Sequence, residues 1–174
     1  SNFYFNLSNY LNPKFILNAS LIAENFYLNR EYKKVKKVLK SFDKKYEFYY
    51  WFRVKKETQI IINESGYEKG IEHISSKFHK INEPNLKMVF DIANFYKNSK
   101  NYEKAIEYYT QIMSSMSDES EIKSDLFYRR GGSYERLGNY KKADEDLLLS
   151  LRINPDDAYV LNYLAYSWLE RDYK

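Results

Sequence analysis

The residues of this chain that could act as bases, nucleophiles or metal ligands are few, and their spacing works against chemistry. His73 and His79 are the two histidines of the sequence. Six residues apart on one helix, they stand about 240° apart around its axis and share no face. A helical zinc pair requires a separation of about three or four residues, so both histidines are expected at the surface. Asp144 and Asp146 offer paired carboxylates, but they lie in a lysine-bearing helical stretch and read as solvated. Gly66 with Gly70, and Gly131 with Gly132, lack the remaining residues of a phosphate-binding loop, and no serine stands in a glycine-flanked elbow. Nothing points to a Ser/His/Asp site built on either histidine. Cysteine is absent, which removes disulfide and thiolate chemistry. The sequence therefore offers no catalytic residue, no metal site and no cofactor site, and it reads as a non-enzyme.

The elements that carry these residues are helices. The chain is 44% hydrophobic, with only 5 Gly and 3 Pro in 174 residues, which favours long helices and short connections over a turn-rich β-sandwich. Its formal charge is +4, and Lys and Glu alternate instead of clustering, the pattern of solvated helix faces. Charge alone thus argues against nucleic acid or a membrane surface as partner. No apolar run reaches the ~20 residues that span a bilayer.

The strongest signal is periodic. "EYKKV" (31–35), "GYEKG" (66–70), "NYEKA" (101–105) and "NYKKA" (139–143) place Tyr32, Tyr67, Tyr102 and Tyr140 at spacings of 35, 35 and 38 residues. A frame starting at Ile16, Trp51, Leu86 and Ser124 puts small residues at its eighth place: Ala23, Thr58, Ala93 and Gly131. The eleventh place is large: Phe26, Ile61, Tyr96 and Tyr134. The twentieth is mostly small (Val35, Gly70, Ala105, Ala143), and the twenty-fourth is large (Leu39, Ile74, Tyr109, Leu147). Small residues let two helix axes approach, and large ones on the same face fill the space beside the crossing. A hairpin of two such helices cannot bury its apolar face alone and must stack on a neighbour.

These residues resemble the tetratricopeptide repeat. Residues 124–157 fit best through Gly131, Tyr134, Gly138, Tyr140, Ala143 and Pro155, and 86–119 through Ala93, Tyr96, Tyr102 and Ala105. Residues 16–49 and 51–84 supply two further full repeats; Glu57 and Thr58 depart from the pattern in the latter. Residues 3–15 and 158–174 read as half repeats, so the whole of 1–174 is expected to form a single array, a fragment of a longer one. The implied fold class is all-α, an α-α superhelix of stacked antiparallel hairpins. Each helix should run about 13 residues, with turns near 29–30, 64–66, 99–100 and 137–139. Pro84 and Pro155 should sit between units, where the first turn of a new helix tolerates them. The extra residues near 115–123 form a longer loop, an additional helical turn or an acidic docking loop. The aromatic run "YEFYYWF" (46–52) either packs the first repeat on the second or forms an exposed hot spot.

In that family the first helix of each repeat lines the concave side. Carried over, the resemblance assigns partner-binding roles to Lys55, Gln59 and Asn63 in the second repeat and to Lys87, Phe90, Asn94, Lys97 and Asn98 in the third. In the fourth it assigns them to Tyr128, Arg129, Gly132, Glu135 and Arg136, and in the last half repeat to Asn162 and Tyr166. Such a face suits an extended peptide: amides donate and accept together, cations attract carboxylates, and tyrosines give contact area at low entropic cost. A clamp for C-terminal carboxylates of the kind some members carry would need Asn and Lys where Asp91 and Asp125 stand, and it is rejected.

The expected function is a non-catalytic protein-interaction scaffold that binds a peptide segment or partner protein in the groove. Two alternatives stay open. Helical hairpins of about 35 residues also build pentatricopeptide arrays that bind RNA, although the small-residue phase here favours the peptide-binding kind. The chain could also be a self-association module that dimerises through its end helices, with Leu164 and Trp168 exposed on the last one. The C-terminal stretch resembles repeat proteins of proteobacteria, some of them exported lipoproteins, so both the bacterial periplasm and the cytoplasm stay open as locations.

Overall fold

A computed structural model describes residues 16–42, 45–117 and 120–171; the half repeat expected over 3–15 lies outside them. Among the described residues there are nine helices and no strand: α1 (Ile16–Leu28), α2 (Tyr32–Leu39), α3 (Glu47–Ser65), α4 (Tyr67–Phe78), α5 (Leu86–Asn98), α6 (Tyr102–Ser114), α7 (Glu121–Arg136), α8 (Tyr140–Ile153) and α9 (Ala158–Glu170). Consecutive helices pair as hairpins, α1 with α2, α3 with α4, α5 with α6 and α7 with α8. The chain divides into two compact units, Ser1–Lys80 and Ile81–Lys174.

The small and large positions of the frame explain the hairpins. Ala23, Thr58, Ala93 and Gly131 are buried, as are Val35, Gly70, Ala105 and Ala143 and the large Leu39, Ile74, Tyr109 and Leu147. The eleventh place is less protected: Tyr96 is buried, whereas Phe26, Ile61 and Tyr134 are half-buried. Thr58 tolerates full burial because its hydroxyl donates back to the Val54 carbonyl at 2.8 Å. A Cβ added to Gly131 would meet Asp146 and Leu147 side-chain carbons at 3.1 Å and the Ala143 carbonyl at 3.2 Å, so α7 and α8 touch through that glycine.

Three of the hairpins turn in the same way. The backbone N–H groups of Glu31, Asn101 and Asn139 donate to the carbonyls of Phe26, Tyr96 and Tyr134, and those of Arg30, Lys100 and Gly138 donate to Tyr27, Lys97 and Glu135. This paired pattern stops a helix with one residue in the left-handed region, and Arg30 (φ 58°), Lys100 (φ 65°) and Gly138 (φ 72°) occupy it. The α3–α4 connection is tighter, with Gly66 alone between the helices.

Several expectations are corrected. Helix lengths range from 8 residues in α2 to 19 in α3. Pro84 and Pro155 do sit between helix pairs, just ahead of the first helical turns, where Asn85 and Asp157 cap α5 and α9, accepting from Met88 N at 3.1 Å and Tyr159 N at 2.9 Å. The aromatic run opens α3 and divides its work. Trp51 is buried against Phe78, Phe52 stacks on Phe42 at 5.1 Å, and Tyr46 and Phe48 are exposed. Asp146 is not solvated but 4% exposed, because Arg130 reaches it across the α7–α8 interface. Asp144 is likewise shielded by Arg171 at 2.7 Å. Leu164 is not exposed: α9 lies on α8 through Val160, Leu164 and Ser167, with Trp168 half-buried beside them, so Tyr159, Leu161, Tyr166 and Leu169 face outward instead.

Candidate functional site

The face expected to bind a partner falls on α3 in the first unit and on α5, α7 and α9 in the second. On α3, Lys55 and Gln59 are half-buried and Asn63 is exposed. The Asn63 amide nitrogen is already engaged, donating to the hydroxyls of Tyr27 at 2.9 Å and Tyr32 at 3.1 Å. Beside it Lys56 is buried, paired with Glu24 at 2.5 Å and 4.4 Å from the Tyr27 ring centre. These tyrosines hold α1, α2 and α3 together, which leaves this stretch with few spare donors. His73 is half-buried rather than at the surface, its Nε2 3.6 Å from Glu57, while His79 is exposed.

The second unit gathers more. A cleft of about 580 Å³ opens between α5, α7 and α9. Lys97 and Asn98 enter it from the last turn of α5, and Tyr128, Gly132 and Arg136 from one stripe of α7. Lys100, Tyr102 and Tyr163 complete the lining. Sequence reasoning missed these three: Lys100 and Tyr102 lie in and just after the hairpin turn, and Tyr163 sits one place beyond the expected Asn162. Asn162 and Tyr166 are exposed and do not line the cleft. Gly132 is buried beneath Tyr163; an added Cβ would lie 3.5 Å from its hydroxyl, an ordinary contact.

Next to the cleft, Asn94 and Arg129 are locked in place. The Asn94 side-chain oxygen accepts from the Tyr109 hydroxyl at 2.8 Å and from Arg129 Nη1 at 3.3 Å. Arg129 Nε donates to Asp125 at 2.7 Å, and its guanidinium lies 5.2 Å from the Phe90 ring centre. Phe90 and Lys87 face elsewhere, into a separate apolar cavity of about 510 Å³ with Leu86, Ile112, Met116, Ile122 and Leu126. Lys87 is also 3.6 Å from Asp91. Glu135 accepts from the Tyr163 hydroxyl at 3.0 Å and lies 3.6 Å from Arg136.

The cleft is cationic. Burial, together with the charges of Arg129 and Arg136, holds the Lys97 ammonium below its ordinary pKa, with Asp125 offsetting part of the effect. Burial and the neighbouring Glu135 push the Tyr163 phenol up, so it stays a neutral donor. No group of three or more His, Cys, Asp or Glu able to hold a metal ion occurs among the described residues. No helix there is long and apolar enough to cross a membrane.

Comparison with known proteins agrees with this architecture. Residues 86–115 and 124–157 match the tetratricopeptide repeat family. A chain in the crystal structure of the APC/C hetero-tetramer Cut9–Hcn1 superposes with a TM-score of 0.64 at 16% identity, covering 98% of this chain and 33% of that one. MamA AMB-1 superposes at 0.63 with 14% identity over 89% of this chain and 88% of that chain, and MamA MSR-1 at 0.62 with 13% over 90% and 87%. At these identities the likeness is one of fold, and the chain spans a third of the Cut9–Hcn1 chain it matches. No curated protein sequence matches it. Residues 86–115 and 124–157 are thus tetratricopeptide repeats, in a chain with an all-α helical-repeat fold. As a class such repeats are protein-interaction scaffolds and generally not catalysts.

Proposed function

We propose that this protein is a non-catalytic scaffold whose repeats form one array and which holds an extended segment of a partner protein against α5, α7 and α9. One observation carries the reading: Lys97, Asn98, Tyr128, Gly132 and Arg136, contributed by the first helices of two repeats, converge on a single cleft. Its chemistry suits a peptide. Asn98 can donate to and accept from a backbone, tyrosine rings give rigid contact area, and the bare backbone at Gly132 permits close approach. The test is capture of partners from native lysate by wild type and by Tyr128→Ala/Arg136→Ala, with circular dichroism confirming that the variant stays folded. Loss of the specific partners supports the groove; retention of all of them by a folded variant refutes it.

A second reading, self-association, is favoured by the outward side of α9, where Tyr159 and Leu169 are 81% and 75% exposed. Sedimentation of wild type and Leu161→Glu/Leu169→Glu tests it. A dimer abolished by the substitutions supports the reading, and a wild-type monomer at high concentration removes it.

A further inference from the structure

The cleft carries more positive charge than a simple peptide groove uses, and this deepens the proposed function on which it rests. We propose that the cleft between α5, α7 and α9 receives a phosphoryl group borne by the partner segment. Three cations line it, Lys97, Lys100 and Arg136, and no carboxylate does. Lys97 and Lys100 make no ion pair or side-chain hydrogen bond among the described residues. The two carboxylates alongside are occupied. Asp125 holds Arg129 at 2.7 Å, and Glu135 accepts from Tyr163 at 3.0 Å while standing 3.6 Å from Arg136. With Arg129 included, four cations face two carboxylates, which leaves two positive charges unanswered.

A phosphomonoester brings about −1.5 to −2 charge at neutral pH and three acceptor oxygens, whereas a carboxylate brings one charge. The surplus therefore matches the phosphoryl group. Arg136 can offer it a fork of N–H donors, and Lys97 and Lys100 offer mobile ammonium groups. Repulsion from Arg129 and Arg136 that now burdens Lys97 would be relieved by the incoming dianion. At about 580 Å³ the cleft has room for a modified side chain and its adjoining backbone.

The experiment uses the full chain and three immobilised degenerate peptide pools that differ only in a fixed central residue: phosphoserine, glutamate or serine. The expected result is capture of the phosphoserine pool about tenfold more tightly than the glutamate pool. Lys97→Met and Arg136→Gln should abolish that preference, and Arg152→Gln, an exposed cation on α8, should not. Equal capture of all three pools would overturn the phosphoryl assignment and leave the groove standing. Capture of none would overturn both. Displacement of bound phosphopeptide by single-stranded RNA at concentrations below those needed with free phosphoserine would overturn it in favour of nucleic acid.

Discussion

Arg130 grips Asp146 with two parallel bonds across the α7–α8 interface, Nε to Oδ2 at 2.7 Å and Nη2 to Oδ1 at 2.8 Å. A third bond, from Nη1 to the Thr110 hydroxyl at 3.0 Å, ties the pair to α6. The side chains are 17% and 5% exposed, so water screens them little. Removing one partner leaves the other charge buried without compensation. Arg130→Met should cost about 3 kcal/mol in urea denaturation, and Arg130→Met/Asp146→Leu should recover at least half of that. A single variant as stable as wild type would show that the pair contributes nothing.

Two adjacent glycines should behave oppositely. Gly131 lies against α8, where a methyl group would meet backbone and side chain at about the limit of real contacts. Gly131→Ala should push α7 from α8 and cost about 1–3 kcal/mol. Gly132 faces the cleft with ordinary clearance to Tyr163. Gly132→Ala should stabilise by about 0.5 kcal/mol through helix propensity while narrowing the cleft. Thermal melts of the two variants decide the matter: equal losses would mean that the helix contacts are misassigned.

The contrast between these glycines shows what the sequence made legible. Steric pattern was readable because every hairpin needs the same close approach, so Ala93, Ala105, Gly131 and Ala143 mark the crossings wherever they occur. Gly138 was readable as a helix stop, but Arg30 and Lys100 hold the same left-handed position without a glycine to mark it. Long-range pairings were not readable. Arg130 and Asp146 meet only when two helices pack, and the rotation of α9 that brings Tyr163 into the cleft is set by Val160 and Leu164 packing against Leu147 of α8. The expected binding face also divides. Lys87 and Phe90 line an apolar cavity while Lys97 and Arg136 line the cationic cleft, a division that repeat spacing alone does not encode.

The left-handed stops give a further prediction. A residue with a Cβ at positive φ costs about 1 kcal/mol relative to glycine. Arg30→Gly should therefore stabilise by about 0.5–1 kcal/mol, and Gly138→Ala should destabilise by about 1 kcal/mol. Chemical denaturation reads both. A loss of stability in Arg30→Gly would mean that the arginine side chain makes a contribution larger than the strain it bears.

Function and stability should oppose each other at Lys97. Burial and the guanidinium groups of Arg129 and Arg136 disfavour its charged form in the folded protein. A lysine depressed in this way weakens the fold wherever it is charged, and the penalty fades as pH rises past its folded pKa. The neutral Lys97→Met should thus be more stable at pH 7, by about 0.5 kcal/mol after allowance for solvent screening. It should bind anionic peptides more weakly at the same time. A variant that loses both stability and binding would place Lys97 among the structural residues.

Acid should act through Glu57. This half-buried carboxylate on α3 accepts from Arg53 Nε at 2.7 Å and faces His73. Burial alone would raise its pKa, but the contacts with His73 and Arg53 outweigh burial and hold it below the ordinary 4.5. A carboxyl depressed in the folded state adds stability that is complete above its unfolded-state pKa and is lost as pH falls through the folded one. The gap in melting temperature between wild type and Glu57→Gln should be larger at about pH 5.5 than at about pH 2, because protonation of Glu57 removes the difference in charge. Circular dichroism melts at the two values measure it. A gap that does not narrow would mean that the Arg53–Glu57–His73 contacts do not bias the titration of Glu57 in the folded protein.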